Sequence, residues 1–173
     1  FDEQRLLWLN GQHIRQLSLE ELYSRTDSFW PASAVTAPAT FKKHILSLVQ
    51  DRLKTLNDLA VISDYFFSDP SPNWSMIEDS KQLKKLGREE LAELLQQASN
   101  AFKEADFTSE ALQDTLNQLL ETTVQKPAVL FSVIRLAVSW APFSPALPET
   151  LAALGKQTVI NRLQKAIETA SDS

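Results

Sequence analysis

The chain has 173 residues, no cysteine and a formal net charge of −5. Its length suits one domain or two small subdomains, and the absence of cysteine excludes disulfides and thiolate metal sites. No run of about 18 apolar residues occurs, so no membrane-spanning helix is predicted. The net negative charge argues against a nucleic-acid-binding protein, because phosphate binding favours basic surfaces.

Basic residues are nevertheless concentrated in two segments. Residues 41–57 carry four basic side chains against Asp51 alone, and residues 127–165 carry four against Glu149 alone. The eight cations are Lys42, Lys43, Arg52, Lys54, Arg135, Lys156, Arg162 and Lys165. Solvated helices produce such fluctuations by chance, so the pattern leaves open whether either segment forms a functional basic surface.

The first part of the chain follows a helical pattern. Apolar residues between positions 2 and 10, among them Trp8, predict a buried helix. Ser18 is a suitable N-cap for a helix that runs to about Ser24. A loop is expected over about residues 26–39, and Thr40 can cap the helix that follows. Thr55 and Asp58 form a cap-like pair at the start of the next helix.

A break follows at Asp69-Pro70-Ser71-Pro72-Asn73. The pattern then predicts a polar helix over 75–86 that ends at Gly87, and an amphipathic helix over 88–104. Thr108 is expected to cap a further helix, and Pro127 suits the first turn of another. The last helix should begin after Gly155.

These patterns predict an all-α protein, since only three glycines are present and no alternation is long enough for a strand. The best internal boundary lies near Ala105 to Thr108. We therefore expect two packed helical subdomains, residues 1–105 and residues 106–173.

No catalytic constellation is present in the sequence. Nucleotide-binding, metalloprotease and nucleophile-elbow motifs are missing, and neither His13 nor His44 has ligand partners at metal spacing. Carboxylate pairs such as Glu89 and Glu90 occur at helix starts, where the helix dipole explains them. We expect no catalytic residue, no metal and no cofactor in this chain.

Three blocks resemble the C-terminal, anticodon-binding region of bacterial-type glutamyl-tRNA synthetases, which are class I enzymes. The first is Trp8-Leu9-Asn10-Gly11-Gln12 with Ile14-Arg15, and the second is Asp51-Arg52-Leu53-Lys54-Thr55-Leu56 with Tyr65-Phe66-Phe67. The third runs from Lys126 to Ile167, with an arginine on an apolar helix, a Ser-Pro loop, Glu149-Thr150-Leu151 and Leu154-Gly155-Lys156. Because the chain begins at Phe1 without methionine, we expect a fragment of such an enzyme.

The resemblance implies roles for individual residues. In the family, an arginine at the position of Arg52 lies against the third anticodon base and helps to reject glutamine tRNA. Residues at the positions of Arg135, Ser144, Pro145 and Leu147 line the pocket for the unstacked anticodon bases. Such bases can be read on their edges or stacked on guanidinium and apolar groups. We expect Arg52, Arg135 and Ser144 to converge on one concave face.

A second group could contact a base or a phosphate, namely Trp140, Lys156 and Arg162. Trp140 stands in Ser139-Trp140-Ala141, where the family commonly has a Thr-Gly-Arg-like turn. Its bulk allows two interpretations, in which it stacks on a base or plugs the site.

Each assignment has a structural alternative that the sequence leaves open. Arg52 could pair with a neighbouring acid, and Arg135 could be a snorkelling cation on an apolar helix. Ser144, Pro145 and Leu147 could form only a helix cap and its staple. Lys156 and Arg162 could belong to a solvated helix face.

The resemblance implies that the chain binds the anticodon of glutamate tRNA as part of a cytoplasmic glutamate–tRNA ligase, as a monomer and without a DNA or membrane partner. ATP and magnesium would belong to a catalytic domain outside this chain, which alone should be inactive in aminoacylation. The alternative is a helical protein–protein interaction module without RNA binding.

Overall fold

The computed structural model describes residues 2–171, which form ten α-helices and short 3-10 turns and contain no β-strand. The prediction of an all-α fold is confirmed. The chain divides into two compact units, Phe1–Asp69 and Pro70–Ser173. The division coincides with the proline-rich break after Asp69, where proline restricts the backbone and ends helical structure.

Unit 1 contains four helices: α1 (Glu3–Gln16), α2 (Leu19–Arg25), α3 (Ala39–Val49) and α4 (Asp58–Ser63). Ser18 caps α2 as predicted, because its hydroxyl accepts a hydrogen bond from the Glu21 amide. Thr40 does not cap α3. The helix already begins at Ala39, with Pro38 as its N-cap residue. Side chains from α2, α3, α4 and the segment before α4 form the core: Leu22, Ile45, Leu46, Val49, Leu53 and Leu59.

The prediction of a buried helix over residues 2–10 is correct for the helix and wrong for its burial. The helix is present as α1, but Leu6 is 51%, Trp8 60% and Leu9 48% exposed. Only the second half of α1 packs on the unit, through the buried Gly11 and Ile14. Apolar spacing predicts a helix from local sequence alone, whereas burial requires a packing partner that unit 1 does not supply at this end.

Unit 2 contains α5 (Trp74–Glu78), α6 (Arg88–Glu104), α7 (Ser109–Thr123), α8 (Pro127–Ser139), α9 (Leu147–Leu154) and α10 (Lys156–Ser171). The helix predicted over 75–86 is shorter than expected, and Gly87 is the N-cap of α6 with φ −75° rather than a C-cap. Thr108 caps α7 and Pro127 begins α8 as predicted. Gly155, with φ +88°, ends α9 in a conformation that glycine adopts at low cost.

The boundary predicted near residue 105 falls inside unit 2. One continuous hydrophobic core joins the helices on both sides of it, with Phe102 of α6, Leu116 of α7 and Leu163 of α10 among its fully buried members. α6 packs along α10 and also against α7 and α8. The polar junction at residues 105–108 is therefore a turn between packed helices. Its polar composition predicted a boundary because a local stretch of sequence does not reveal the core that the flanking helices share.

Candidate nucleic-acid interface

Arg52 lies in unit 1 at the end of the 3-10 turn Gln50–Arg52, and its side chain is exposed. The next residue, Leu53, is completely buried. The backbone amides of Lys54 and Thr55 both donate to one carboxylate oxygen of Asp58, each at 3.0 Å. The exposed Arg52 therefore lies next to backbone amides that are hydrogen-bonded to Asp58, the first residue of α4.

Arg135 lies in unit 2 on α8 and is half-buried. Its neighbours on the helix, Val133, Ile134 and Ala137, belong to the core. The Arg135 carbonyl oxygen accepts a hydrogen bond from the Ser139 hydroxyl at 2.7 Å. Arg135 is thus a half-buried cation four residues before the end of α8.

Ser144 and Pro145 of the loop before α9, and Leu147 at the start of α9, lie in the interior of unit 2. Ser144 is 3% exposed, Pro145 is buried and Leu147 is 2% exposed. The hydroxyls of Ser144 and Thr150 both donate to the Pro145 carbonyl oxygen, at 3.2 and 3.1 Å. Ser144 therefore fixes the loop through a backbone carbonyl, and no side chain caps α9, whose N-cap is Ala146.

Trp140 packs inside unit 2 against another tryptophan. The rings of Trp140 and Trp74 are 6.2 Å apart between centroids, and the Arg88 guanidinium lies over Trp74 at 5.4 Å. Arg88 in turn pairs with Glu78. Of the two interpretations of Trp140, this packing favours a ring that plugs the site over a ring that stacks on a base.

The backbone of Trp140 is left-handed, with φ 44° and ψ 40°. A residue other than glycine in this region costs about 1–2 kcal/mol. The position is the one at which the resembling family commonly carries glycine. Glycine is the residue type that adopts this conformation at least cost, and this chain carries tryptophan there instead.

The other two basic candidates also contact the protein itself. Arg162 is only 8% exposed, and its Nη1 donates to the Val138 carbonyl oxygen at 2.7 Å. Lys156 is exposed, but its Nζ donates to the Lys103 carbonyl oxygen at 3.2 Å and lies 5.8 Å from the centre of the Phe107 ring. These contacts tie α10 to the ends of α8 and α6, so they explain both cations without a ligand.

Phe143 is an aromatic side chain that sequence reasoning missed. It lies in the loop between α8 and α9 and is 60% exposed, beside the buried Ser144 and Pro145. Two prolines in the loop, Pro142 and Pro145, restrict its backbone. The available signal was an aromatic residue that stands between two loop prolines.

The described part of the chain contains no cluster of three or more histidine, cysteine or carboxylate side chains that could hold a metal ion. Nor does any helix within residues 2–171 have the length and apolarity needed to cross a bilayer.

The fold is that of an all-α protein with two compact helical units. The model of a family described as anticodon binding domain matches residues 18–167, so the chain belongs to that family. The match includes both Arg52 and Arg135 and crosses the division between the two units.

Individual relatives agree with this assignment. Glutamate–tRNA ligase 2 of Thermoanaerobacter pseudethanolicus is 30% identical over 97% of the chain and 35% of its own length. The glutamate–tRNA ligase of Dehalococcoides mccartyi is 29% identical over 99% of the chain and 36% of its length. The chain thus spans about a third of the length of the curated relatives it matches.

Solved structures show the same fold. A crystal structure of a glutamate tRNA ligase from Elizabethkingia meningosepticum, in complex with its amino acid, superimposes with a TM-score of 0.82 at 24% identity. The superposition covers 98% of this chain and 33% of the other. Glutamate-tRNA synthetase from Elizabethkingia anophelis gives a TM-score of 0.77 at 23% identity.

Proposed function

We propose that this chain recognises the anticodon of glutamate tRNA as the anticodon-binding part of a glutamate–tRNA ligase. The observation that carries the proposal is the family match over residues 18–167, which includes an exposed arginine on an anchored segment. The relatives compared above are glutamate–tRNA ligases, and this supports glutamate tRNA as the partner.

The proposed mechanism is binding rather than chemistry. Arg52 presents a rigid guanidinium fork that suits a pair of acceptors on a base edge, and its resemblance to the family arginine assigns it to the third anticodon base. In unit 2, Arg135, the loop residues Ser144 and Pro145, and Leu147 at the start of α9 contribute contacts to unstacked bases. Phe143 in the same loop offers a surface for stacking. Base readout here would help to place the acceptor end of the tRNA in the catalytic part of the ligase.

The remaining two thirds of such a ligase would hold ATP, magnesium and glutamate and carry out aminoacylation in the cytoplasm. This chain would act in that reaction as a tRNA-positioning module and not as a catalyst. Trp140, Lys156 and Arg162 are left out of the proposed contact set, because each has a partner within unit 2.

The test is binding of the chain to glutamate and glutamine tRNA transcripts at two salt concentrations. Arg52→Gln should reduce the preference for glutamate tRNA by about tenfold, since one bidentate base contact contributes about 1–3 kcal/mol of discrimination. Arg135→Ala should weaken binding of glutamate tRNA by a similar factor. The matched control is Lys54→Gln, which removes an exposed cation two residues from Arg52.

Lys54→Gln should weaken binding of both tRNAs equally and reduce the salt dependence of the affinity, as expected for loss of a phosphate contact. The preference for glutamate tRNA should be unchanged. Equal and weak binding of both tRNAs that neither arginine substitution alters would contradict the proposal. That outcome would favour the second candidate, a protein–protein interaction module, which the exposed Leu6, Trp8 and Leu9 of α1 support.

A further inference from the structure

Arg52 lies in a short segment, residues 51–55, whose backbone is hydrogen-bonded by the carboxamide of Asn10 in α1. The Asn10 side-chain nitrogen donates a hydrogen bond to the Lys54 carbonyl oxygen, across 44 positions of sequence. Arg15, one turn further along α1, donates from Nη1 to the Asp51 carbonyl oxygen at 3.4 Å. Two side chains of one helix therefore reach the backbone on both sides of Arg52.

Close backbone packing makes these contacts possible. A Cβ atom at Gly11 would lie 3.3 Å from the Leu53 carbonyl oxygen and 3.7 Å from the Lys54 Cα atom. The first distance is tighter than an ordinary van der Waals contact, so glycine lets α1 approach the segment more closely than any other residue would. At this distance the short side chain of Asn10 can span the gap to a backbone carbonyl.

The contact is reciprocal, because the segment also holds α1. The Gln50 side-chain nitrogen donates to the carbonyl oxygens of Ile14 and Leu17, both at 3.0 Å. The Ile14 carbonyl lies in the last turn of α1 and also accepts from the Leu17 amide, and Leu17 is the C-cap residue of the helix. α1 and the 3-10 turn Gln50–Arg52 therefore hold each other in one relative position.

On the far side, Asp58 accepts hydrogen bonds from the amides of Lys54 and Thr55. Lys54 thus has its amide held by α4 and its carbonyl held by α1. Arg52, two residues before Lys54, remains exposed. An exposed side chain on a backbone held from both sides loses less freedom on binding a ligand than one on a mobile loop.

We propose that Asn10 is a positioning residue for base readout by Arg52. Its hydrogen bond to Lys54 fixes the height and direction at which the guanidinium leaves the surface, so it sets how well Arg52 distinguishes one anticodon base from another. This inference rests on the proposed function of Arg52 and adds to it a residue that contacts no base.

The experiment is a thermodynamic cycle on the discrimination ratio, the affinity for glutamate tRNA divided by that for glutamine tRNA. Asn10→Ala is measured alone and together with Arg52→Gln, and Gln16→Ala on the same helix serves as the exposed-amide control. We expect Asn10→Ala to lower the ratio about threefold and to have no further effect in the Arg52→Gln background. Gln16→Ala should leave the ratio unchanged.

Asn10→Asp provides a second variant, because it keeps the side-chain shape and removes the donor. The ratio cancels any general effect of the added charge, since both tRNAs present the same backbone. A melting curve for each variant confirms that the chain is folded at the assay temperature. Asn10→Gln, which keeps a carboxamide donor, should restore part of the discrimination.

The outcomes separate the two proposals. If Arg52→Gln lowers the ratio but Asn10→Ala and Asn10→Asp do not, the positioning role is refuted and the role of Arg52 stands. An Asn10 effect that persists at full size in the Arg52→Gln background also refutes positioning through Arg52. If Arg52→Gln leaves the ratio unchanged, both proposals fail together.

Discussion

Replacement of Arg162 by methionine should lower the free energy of unfolding of unit 2 by about 2–3 kcal/mol. The Arg162 guanidinium is buried and donates to the carbonyl oxygen of Val138, which lies in the last turn of α8. Carbonyls at a helix end have no partner within the helix. Methionine fills a similar volume but leaves this acceptor without its charged donor, and chemical denaturation of the chain measures the loss.

The control is Lys165→Met, which removes an exposed cation from the same helix and should change stability by less than about 0.5 kcal/mol. Binding of tRNA distinguishes the structural role from the phosphate contact that sequence reasoning allowed. If Arg162 has only a structural role, folded Arg162→Met should bind tRNA with the same salt dependence as the unmodified chain. A reduced salt dependence together with unchanged stability would mean that Arg162 contacts phosphate.

Replacement of Trp140 by alanine should destabilise unit 2 by about 2–3 kcal/mol, since it removes a half-buried indole and its contact with Trp74. Trp140→Gly should be the more stable of the two truncations by about 1 kcal/mol. Both lose the same packing, but only alanine retains a Cβ atom at φ 44°. Denaturation curves of the two variants give this difference directly.

The matched control is Trp8→Ala, which truncates a tryptophan that is 60% exposed and should be close to neutral. If Trp140→Ala proves more stable than Trp140→Gly, the left-handed geometry at this position is not maintained. If Trp140→Ala is neutral but weakens tRNA binding, the ring serves a base rather than the core.

Local signals predicted several helix ends well, although Thr40 does not cap α3. Ser18, Thr108 and Pro127 each perform the role that their chemistry predicts, because capping depends only on residues within one turn. Gly87 shows the limit of such signals. A glycine is compatible with both ends of a helix, and here it precedes α6 instead of closing a helix over 75–86.

Burial was predicted less well, because it depends on what approaches a helix from elsewhere. The apolar spacing of Leu6 and Leu9 is that of a packed helix, yet both are about half exposed. The core that joins Phe102 to Leu116 and Leu163 spans the polar junction at residues 105–108, where the sequence pattern predicts a domain boundary. Contacts between distant segments leave no mark in a local window of sequence.

The same limit applies to the candidate site. Arg52 and Arg162 are indistinguishable as basic residues in the sequence, but one is exposed and the other is buried beneath the end of α8. Trp140 is unusual because it stands where the resembling family commonly has glycine. Its partner Trp74 lies in a segment that resembles the family only in being helical, so the sequence did not indicate their contact. The anchoring of Arg52 by Asn10 joins residues 10 and 54, and only the fold brings them together.

The central claim, that this chain reads an anticodon, is tested most directly by exchanging parts of the RNA. The measurement is the affinity of the unmodified chain for glutamate tRNA, for the same tRNA with its three anticodon bases replaced, and for the same tRNA with its acceptor stem replaced. The account predicts at least about a tenfold loss for the anticodon exchange and no loss for the acceptor-stem exchange. Equal affinity for all three RNAs, falling together as salt rises, would contradict it.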